Sequence, residues 1–315
     1  MSNQHDPGKS YIASGVTNCN KRIQARISEV GGIPVARALP TKEQRMIGPW
    51  CFLDHAGPVR FAADSEGMQV GPHPHTCLQT FTWMLAGTVL HRDSLGSEQL
   101  IKPGQVNLMT AGHGICHTES SQFTEGAEKA LHAAQLWIAL PEDKADIAPR
   151  FDHYTQLPKF TEKSVSGTVL IGTYAEHEAP TLHFSPIVGV DFEFPQPESI
   201  ELNLENAFEY GVLALEGGFE LGGEHYAQDE LAVLCSREHK DGTHNVTLKA
   251  EQGSRILLIG GKPFQQNVTI WWNYVGHSKA YISAAQRDWY TQRERFGAIA
   301  NPNAARILGP EVPWR

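Results

Sequence analysis

The sequence has little of what marks a secreted, membrane-spanning or nucleic-acid-binding protein. Its five cysteines are odd in number and widely spaced, with no CxxC pair, which argues against a disulfide framework and a cysteine-based zinc site. No run approaches the ~20 apolar residues that span a bilayer, and the first residues lack a signal-peptide pattern. The formal net charge of −9 disfavours binding to phosphate backbones or anionic lipid. We therefore expect a cytoplasmic protein without nucleic-acid or membrane partners.

Short runs of β-branched and aromatic residues, separated by glycine and proline, dominate the chain. Examples are LQTFTWML, QVNLMTA, AAQLWIAL, YGVLALEG and SRILLIGG. Strands of this length between turn signals are typical of all-β sandwiches and barrels. Helical patterning is scarce before residue 277, after which the sequence predicts one short helix with Ser278 as N-cap and Gly297 as its stop.

Two domains are expected from the length of 315 residues, since a domain averages ~150 residues. A connecting stretch contains Pro141, Pro149 and Pro158, which places one domain at residues 1–150 and the other at 160–315. A strand, a glycine turn and a second strand recur in both halves, as in LAGTVLHRDSLG and LEGGFELGGEHY. This pattern suggests a duplicated β unit.

Two pairs of polar residues have the spacing of metal ligands on strands. His73 and His75 flank Pro74, and His117 and Glu119 follow in the stretch AGHGICHTES. Residues i and i+2 of a strand point to the same side, ~7 Å apart along it. Two such pairs on neighbouring strands would give one cation three imidazoles and one carboxylate. A single HxH pair is more often structural, and the second pair is what favours a metal site.

This ligand set leaves the metal open. Four protein ligands on an octahedral ion such as Fe(II) would keep two positions free, enough for O2 and an organic substrate. Imidazole and carboxylate also suit Mn, Ni, Cu or Zn, so ligand type alone does not choose among them.

The combination of motifs resembles the pirin family of the cupin superfamily. The similar segments are FLDHAGP (52–58), GPHPHTCLQTFTW (71–83), LAGTVLHRDSLG (85–96), KPGQVNLMTAGHGICHTE (102–119) and LHAAQLWIALP (131–141). The resemblance implies two cupin barrels, a metal in the N-terminal one, and ligands at His73, His75, His117 and Glu119. Iron is the metal it implies first. It also implies that the second barrel, whose His225, His239 and His244 are isolated or loop-placed, holds no metal.

The chain departs from the family pattern at three positions near these motifs. Cys77 replaces the usual glycine, Gln79 replaces a common glutamate, and His113 replaces a common arginine. Because an amide is a poor ligand, Glu119 is the better candidate for the carboxylate ligand. His113 could line the pocket or ligate, and Cys77 could lie near the metal.

The resemblance implies a quercetin 2,3-dioxygenase-like reaction on a flavonol or related phenolic, with O2 as co-substrate. Glu119 would then be both a ligand and the base that accepts the substrate's hydroxyl proton. The alternative is a non-enzymatic, redox- or metal-sensing regulator that acts through protein partners. A metal-dependent sugar isomerase is less favoured, because few lysines and arginines lie near the motifs to bind phosphate.

Two further pairs carry open interpretations. Asp54 and His55 could bind substrate at the barrel mouth or cap a strand end. His91 and Asp93 could orient a ligand imidazole, or could stabilise a turn through bonds from Asp93 to nearby backbone N–H groups.

Overall fold

The structure, a computed structural model, describes residues 20–237, 241–300 and 304–314. Its strands are β1 (Asn20–Gln24), β2 (Arg26–Val30), β3 (Ile33–Leu39), β4 (Trp50–Arg60), β5 (Gln69–His75), β6 (Leu78–Ala86), β7 (Val89–Asp93), β8 (Glu98–Ile101), β9 (Val106–Thr110), β10 (Ile115–Ser121), β11 (Ala130–Ala139), β12 (Arg150–Tyr154), β13 (Lys159–Glu162), β14 (Val165–Tyr174), β15 (His177–Glu178), β16 (Ile187–Phe194), β17 (Glu198–Glu205), β18 (Glu209–Glu216), β19 (Phe219–Leu221), β20 (Glu224–Tyr226), β21 (Glu230–Leu234), β22 (Thr243–Ala250), β23 (Ser254–Gly261), β24 (Thr269–Trp271) and β25 (Tyr274–Gly276).

One α-helix follows the strands, α1 (Lys279–Tyr290), and short 3-10 helices span Glu142–Lys144 and Glu294–Phe296. The predicted all-β class with a short C-terminal helix is confirmed. Ser278 caps the helix as predicted, because its hydroxyl accepts a hydrogen bond from the Tyr281 N–H. The helix ends before the predicted stop at Gly297, which instead ends the last 3-10 helix with φ 62°. No helix among the described residues is long and apolar enough to cross a bilayer.

Each barrel consists of a larger and a smaller antiparallel sheet. The first pairs its strands in the order β12-β9-β6-β11-β4-β3-β2 and β5-β10-β7-β8. The second has the orders β1-β21-β18-β23-β16-β14-β13, with β15 on β14, and β17-β22-β19-β20. Strand β17 shows the half-buried pattern, in which its leucines and isoleucine are buried and the polar residues between them are mostly exposed.

A shared hydrophobic core joins the two barrels through their larger sheets. Phe81, Trp83 and Leu136 of the first barrel lie in one buried cluster with Leu213 and Leu257 of the second. Strand β6 is therefore buried on both faces, one toward this core and the other toward the inside of its own barrel. This explains why LQTFTWML alternates in polarity without alternating in burial.

The first and last described segments cross over between the barrels. Strand β1 pairs with β21 in the sheet of the second barrel. Conversely, the C-terminal segment, described at 269–300 and 304–314, packs on the first barrel: Val275 N–H donates to the Thr76 carbonyl (3.2 Å) and Ile307 N–H to the Pro72 carbonyl (2.8 Å). The division of the chain at residues 150 and 160 stays a prediction.

Candidate metal centre

Strands β5 and β10 are direct neighbours, and their register brings His117 to the first predicted ligand pair. His117 lies opposite His73, and Ile115 lies opposite His75. The turn before β10 requires glycine at position 112, where φ is 51° and a Cβ atom would come within 1.9 Å of the Ile147 carbonyl oxygen. This turn fixes where β10 begins and hence where His117 stands.

Three of the four predicted ligands converge. His73, His75 and His117 are buried, and each offers a ring nitrogen such that all three lie within 4.8 Å of one another. Their ring centroids are 4.3–5.0 Å apart. We call these residues the histidine triad. Among the described residues, no other group of three histidine, cysteine or acidic side chains meets this distance criterion.

Backbone acceptors orient two of the triad rings. The Nδ1–H of His73 donates to the Gly71 carbonyl (2.9 Å), and that of His75 donates to the Asn273 carbonyl (3.1 Å). Each ring is then left with a free lone pair on Nε2, the atom available to a metal. Asn273 belongs to the C-terminal segment, and sequence reasoning did not find it because it contributes only a backbone oxygen.

A hydrogen-bonded chain of side chains orients the third ring. His91 Nε2 lies 3.1 Å from Asp93 Oδ2, and His91 Nδ1 lies 3.3 Å from His117 Nδ1. Since the carboxylate accepts the Nε2 proton of His91, His91 Nδ1 is an acceptor and His117 donates to it. Asp93 also accepts from the Leu95 and Ser97 N–H groups, so the turn interpretation and the orienting interpretation both describe this residue.

The donor set fits a divalent cation. His75 Nε2 and His117 Nε2 lie 3.1 Å apart, and the bonds just described leave a lone pair on both. Two buried lone pairs facing each other repel unless a cation lies between them. An ion ~2.0–2.1 Å from each nitrogen would separate them by about 2.9 Å at a right angle and about 3.4 Å at a tetrahedral angle.

Burial keeps the triad unprotonated and thus ready to ligate. It lowers the pKa of His73 to about 4 and is the first cause that lowers the pKa of His75 and His117 well below the ordinary histidine value. Positive charge on neighbouring histidines lowers the last two further. Three neutral imidazoles in a buried site suit a transition metal and disfavour Mg²⁺ or Ca²⁺, which prefer oxygen ligands.

Glu119 lies on the same strand but outside the triad. The β5–β10 register shifts between His117 and Glu119, so that Glu119 pairs with Val70 on one side and with His91 on the other. Its carboxylate is not among the groups that meet the 4.8 Å criterion. Burial raises the pKa of Glu119, against a smaller opposing effect of His91. A carboxylate with a raised pKa is a stronger base than an exposed one.

The three positions that depart from the family pattern form contacts with other residues than the triad. The Gln79 amide donates to Thr110 Oγ1 (3.1 Å) and to the Leu182 carbonyl (3.2 Å). Cys77 is fully buried with φ 54°, and burial raises the pKa of its thiol to about 12, which argues against a reactive thiolate. His113 Nδ1 lies 3.3 Å from the Ile147 carbonyl oxygen.

Asp54 and His55 point in opposite directions from β4. Asp54 faces the inside of the first barrel and forms a two-bond ion pair with Arg37 (2.7 and 2.6 Å). His55 faces the second barrel, and its ring contacts Asp229 of that barrel and His132 of β11 in the first barrel.

The isolated histidines of the second barrel are only partly described. The Nδ1–H of His244 donates to Asn206 Oδ1 (2.8 Å), and His225 is exposed. His239 lies outside the described residues. The expectation that this barrel holds no metal stays a prediction.

Comparison with known proteins identifies the family. The sequence matches the Pirin family model over residues 32–138 and the Pirin C-terminal cupin domain over residues 189–297. It is 50% identical over 296 residues to a Pseudomonas aeruginosa protein provisionally named a quercetin 2,3-dioxygenase, covering 94% of this chain and 91% of the relative. A pirin-like protein of Caulobacter vibrioides is 33% identical over 87% of this chain and 94% of its own length.

The solved structures agree. The crystal structure of quercetin 2,3-dioxygenase from Acinetobacter baumannii superposes with a TM-score of 0.89 at 44% identity, covering 94% of this chain and 96% of that one. The bacterial pirin YhhW from Escherichia coli, solved in complex with nickel(II), shares the fold with a TM-score of 0.59 at 16% identity, over 78% of this chain and all of that one. The chain therefore belongs to the pirin family and has that family's fold of two cupin domains.

Proposed function

We propose that this protein is an iron-dependent dioxygenase that cleaves a flavonol or a related phenolic with O2. The observation that carries the proposal is the convergence of three buried, neutral imidazoles whose Nε2 atoms each carry a lone pair and no proton. The names of the Pseudomonas and Acinetobacter relatives support the substrate class. The free, buried state of Cys51, Cys77 and Cys116 supports a reducing compartment such as the cytoplasm.

The triad and Glu119 would hold the metal. When bound, Fe(II) would supply the one-electron chemistry that O2 requires and would polarise the substrate's hydroxyl oxygen. The triad's outer partners, Gly71, Asn273 and His91, keep the three rings in the orientation and tautomer that ligation needs.

Glu119 is the group proposed to move a proton. Its carboxylate oxygen would accept the proton of the flavonol 3-hydroxyl group, giving the enolate that reacts with O2. Its raised pKa favours that transfer. The overall reaction adds both oxygen atoms of O2 to the flavonol, opens its central ring and releases one molecule of CO.

The walls of the site favour a flat aromatic ligand. The Trp137 ring lies 5.0 Å from the His75 ring and is stacked on Phe52 at 4.0 Å, and the Phe151 ring is stacked on His91 at 4.4 Å. These rings make the surroundings of the triad apolar and limit access of bulk water to a reactive enolate.

Metal analysis followed by O2 uptake tests the proposal. The protein is purified, stripped, reloaded without O2 with Fe(II), Mn(II), Ni(II), Cu(II) or Zn(II), and assayed for O2 consumption and CO release with a panel of flavonols and simpler phenols. We expect the iron form to consume O2 and release CO in equal amounts with a flavonol. We expect His117→Ala to lose the metal, and Glu119→Gln to lower turnover by ~100-fold or more.

Glu125→Gln is the matched control, since it removes the charge of an exposed glutamate and should leave turnover unchanged. If the iron form consumes no O2 with any flavonol, the substrate assignment is wrong. If none of the loaded forms reacts with any phenol while the metal stays bound, a metal-sensing role through protein partners becomes the better explanation.

A further inference from the structure

A continuous row of polar side chains crosses the inner wall of the first barrel. Its members are cross-strand neighbours on six adjacent strands of the larger sheet, so that each one stands beside the next. In spatial order the polar row consists of Arg37, Asp54, Gln135, Thr82, Asn107 and His153.

Strand alternation shows that this row faces the inside of the first barrel, as the aromatic residues beside the triad do. Trp137 and Phe151, whose rings contact His75 and His91, stand two residues away from Gln135 and His153 on the same strands. Residues i and i+2 share a face and are ~7 Å apart. The residues between them, such as Leu136, belong to the core shared with the second barrel. The polar row therefore lies inside the first barrel, one step along the strands from the aromatic residues beside the triad.

Hydrogen bonds within the polar row satisfy only some of its donors and acceptors. Asp54 binds Arg37, the Thr82 hydroxyl donates to Gln135 Oε1 (2.7 Å), and His153 Nδ1 lies 2.6 Å from Asn107 Oδ1. These bonds leave the amide nitrogens of Gln135 and Asn107 without a protein acceptor among the described residues. Polar groups inside a barrel are costly unless water or a ligand completes their hydrogen bonds.

Two members of the polar row remain partly accessible to solvent. Gln135 occupies the middle of the central strand β11 and is still half-buried rather than fully buried, unlike its neighbours on both sides. At the far end of the row, His153 also lines a surface groove of ≈ 500 Å³ with residues of β8, such as Glu98 and Leu100. The polar row is therefore partly accessible at its centre and at its far end, whereas Asp54, Thr82 and Asn107 are buried.

The charge of the row limits what it can bind. Its one arginine is already neutralised by Asp54, and burial lowers the pKa of His153, which favours the neutral ring. No free cation of the row is available to a carboxylate or a phosphate. What the row offers instead is two amide donors and carbonyl or carboxylate acceptors, which match neutral hydroxyl groups.

We propose that the polar row is the subsite that recognises the hydroxyl groups of an aromatic substrate, with the substrate's reacting ring held beside the triad. This inference rests on the proposed function, because it assigns the substrate class of the same cavity. Gln135, at the centre of the row, is the specificity-determining residue: its amide would donate to one ring hydroxyl oxygen, and Asn107 would donate to a second.

Anaerobic binding of two flavonols to the metal-loaded protein tests this subsite without turnover. Quercetin carries several ring hydroxyl groups, and 3-hydroxyflavone keeps only the 3-hydroxyl group. We expect the wild-type protein to bind quercetin about 10- to 100-fold more tightly, the range given by one or two hydrogen bonds to buried groups. Gln135→Met, which keeps the side-chain volume and removes the amide, should abolish this preference and leave the affinity for 3-hydroxyflavone unchanged.

Two further variants complete the test. Thr82→Val removes the hydroxyl group that donates to Gln135 Oε1 and keeps the shape of the side chain. It replaces Gln135→Met if that variant does not fold, and it should reduce the preference for quercetin by a smaller factor. Asn203→Ala, an exposed amide on the outer surface of the second barrel, should bind both flavonols like wild type. Equal binding of both flavonols by wild type, or an unchanged preference in both row variants, overturns the subsite and leaves the dioxygenase proposal standing. Failure to bind either flavonol overturns both.

Discussion

The Nε2 atoms of His55 and His132 lie 2.7 Å apart at the boundary between the two barrels. The other ring nitrogen of each histidine lies near a carboxylate of the second barrel. Asp229 Oδ1 lies 2.7 Å from His55 Nδ1, and Glu216 Oε1 lies 3.2 Å from His132 Nδ1. The hydrogen bond to Asp229 and the one between the two rings need two protons, which two neutral imidazoles supply.

The folded protein disfavours a proton on His132. Burial, the neighbouring His55 and the Arg255 guanidinium lower the pKa of His132 to about 4, and Asp229 opposes them. In the unfolded chain, His132 titrates near the ordinary value of ~6.5. Below that pH the unfolded chain binds a proton that the folded protein does not, so the free energy of unfolding falls as the pH falls.

We expect the free energy of unfolding to drop by about 1–2 kcal/mol through His132 between pH 7 and pH 5. Urea denaturation of the wild type and of His132→Gln at both pH values measures the difference, and the variant should lose less stability on acidification. The triad histidines are present in both proteins, so the comparison isolates His132. His225→Gln, at an exposed position, should behave like wild type. Parallel losses in wild type and His132→Gln would show that this pair does not control the acid response.

Asp93→Asn should weaken metal binding without touching a ligand. Asn can keep the turn bonds to Leu95 and Ser97, but its NH2 group would face His91 and reverse that ring's tautomer. His91 would then donate to His117 Nδ1, and the proton of His117 would move to Nε2, the atom that the metal needs. Loss of such an outer partner costs ~10–100-fold in metal affinity.

Competition with a chelator measures that affinity, and the visible spectrum of the Co(II) form reports the coordination geometry. Glu98→Gln breaks the Arg92–Glu98 ion pair on the outer side of the same hairpin and is the matched control. Unchanged affinity and an unchanged spectrum in Asp93→Asn would mean that His91 does not set the tautomer of His117.

Local patterns in the sequence were enough to predict the strands, the terminal helix and the neighbouring positions of His73, His75 and His117. Alternation, turn residues and the Ser278 cap act within a few residues, and the motifs restrict which strands pair. The Asn273 carbonyl, the His55–His132 contact and the joining of β1 to the second barrel were not predicted. Each depends on residues far apart in the chain, and a backbone oxygen or a lone histidine carries no spacing signal.

The position of Glu119 shows the same limit at short range. Simple alternation places it on the face of His117, but a register shift lies between the two residues. The extra residue lies in β5, because β10 keeps its regular register against β7. The shift therefore changes which β5 residue stands beside Glu119, and it has no reliable signature in one sequence. For His91 and Asp93 the sequence allowed two interpretations: a pair that orients a ligand imidazole, or a turn stabilised by Asp93. The structure contains the contacts of both.

Arg255 should be important for stability because it neutralises a fully buried carboxylate. Asp191 is 1% exposed and receives two arginine nitrogens at 2.7–3.1 Å. Arg255→Met would leave this carboxylate buried and unpaired, at a cost of ~3–5 kcal/mol. The double variant Asp191→Leu/Arg255→Met removes both charges and should recover most of that loss in urea denaturation. If the double variant is less stable than Arg255→Met, the pair contributes more than charge neutralisation.

Metal removal should destabilise the first barrel through the triad. The folded protein presents three converging imidazoles that the unfolded chain does not, so bound metal adds ~2.7 kcal/mol of stability at a free concentration 100 times its dissociation constant. Thermal unfolding of the stripped and reloaded protein should show a higher Tm with metal, rising with metal concentration. His73→Ala should have the same Tm with and without metal. His244→Ala alters a half-buried histidine of the second barrel and should keep the full metal-dependent shift. A metal-dependent rise in Tm that survives in His73→Ala would place the stabilising ion somewhere other than the triad.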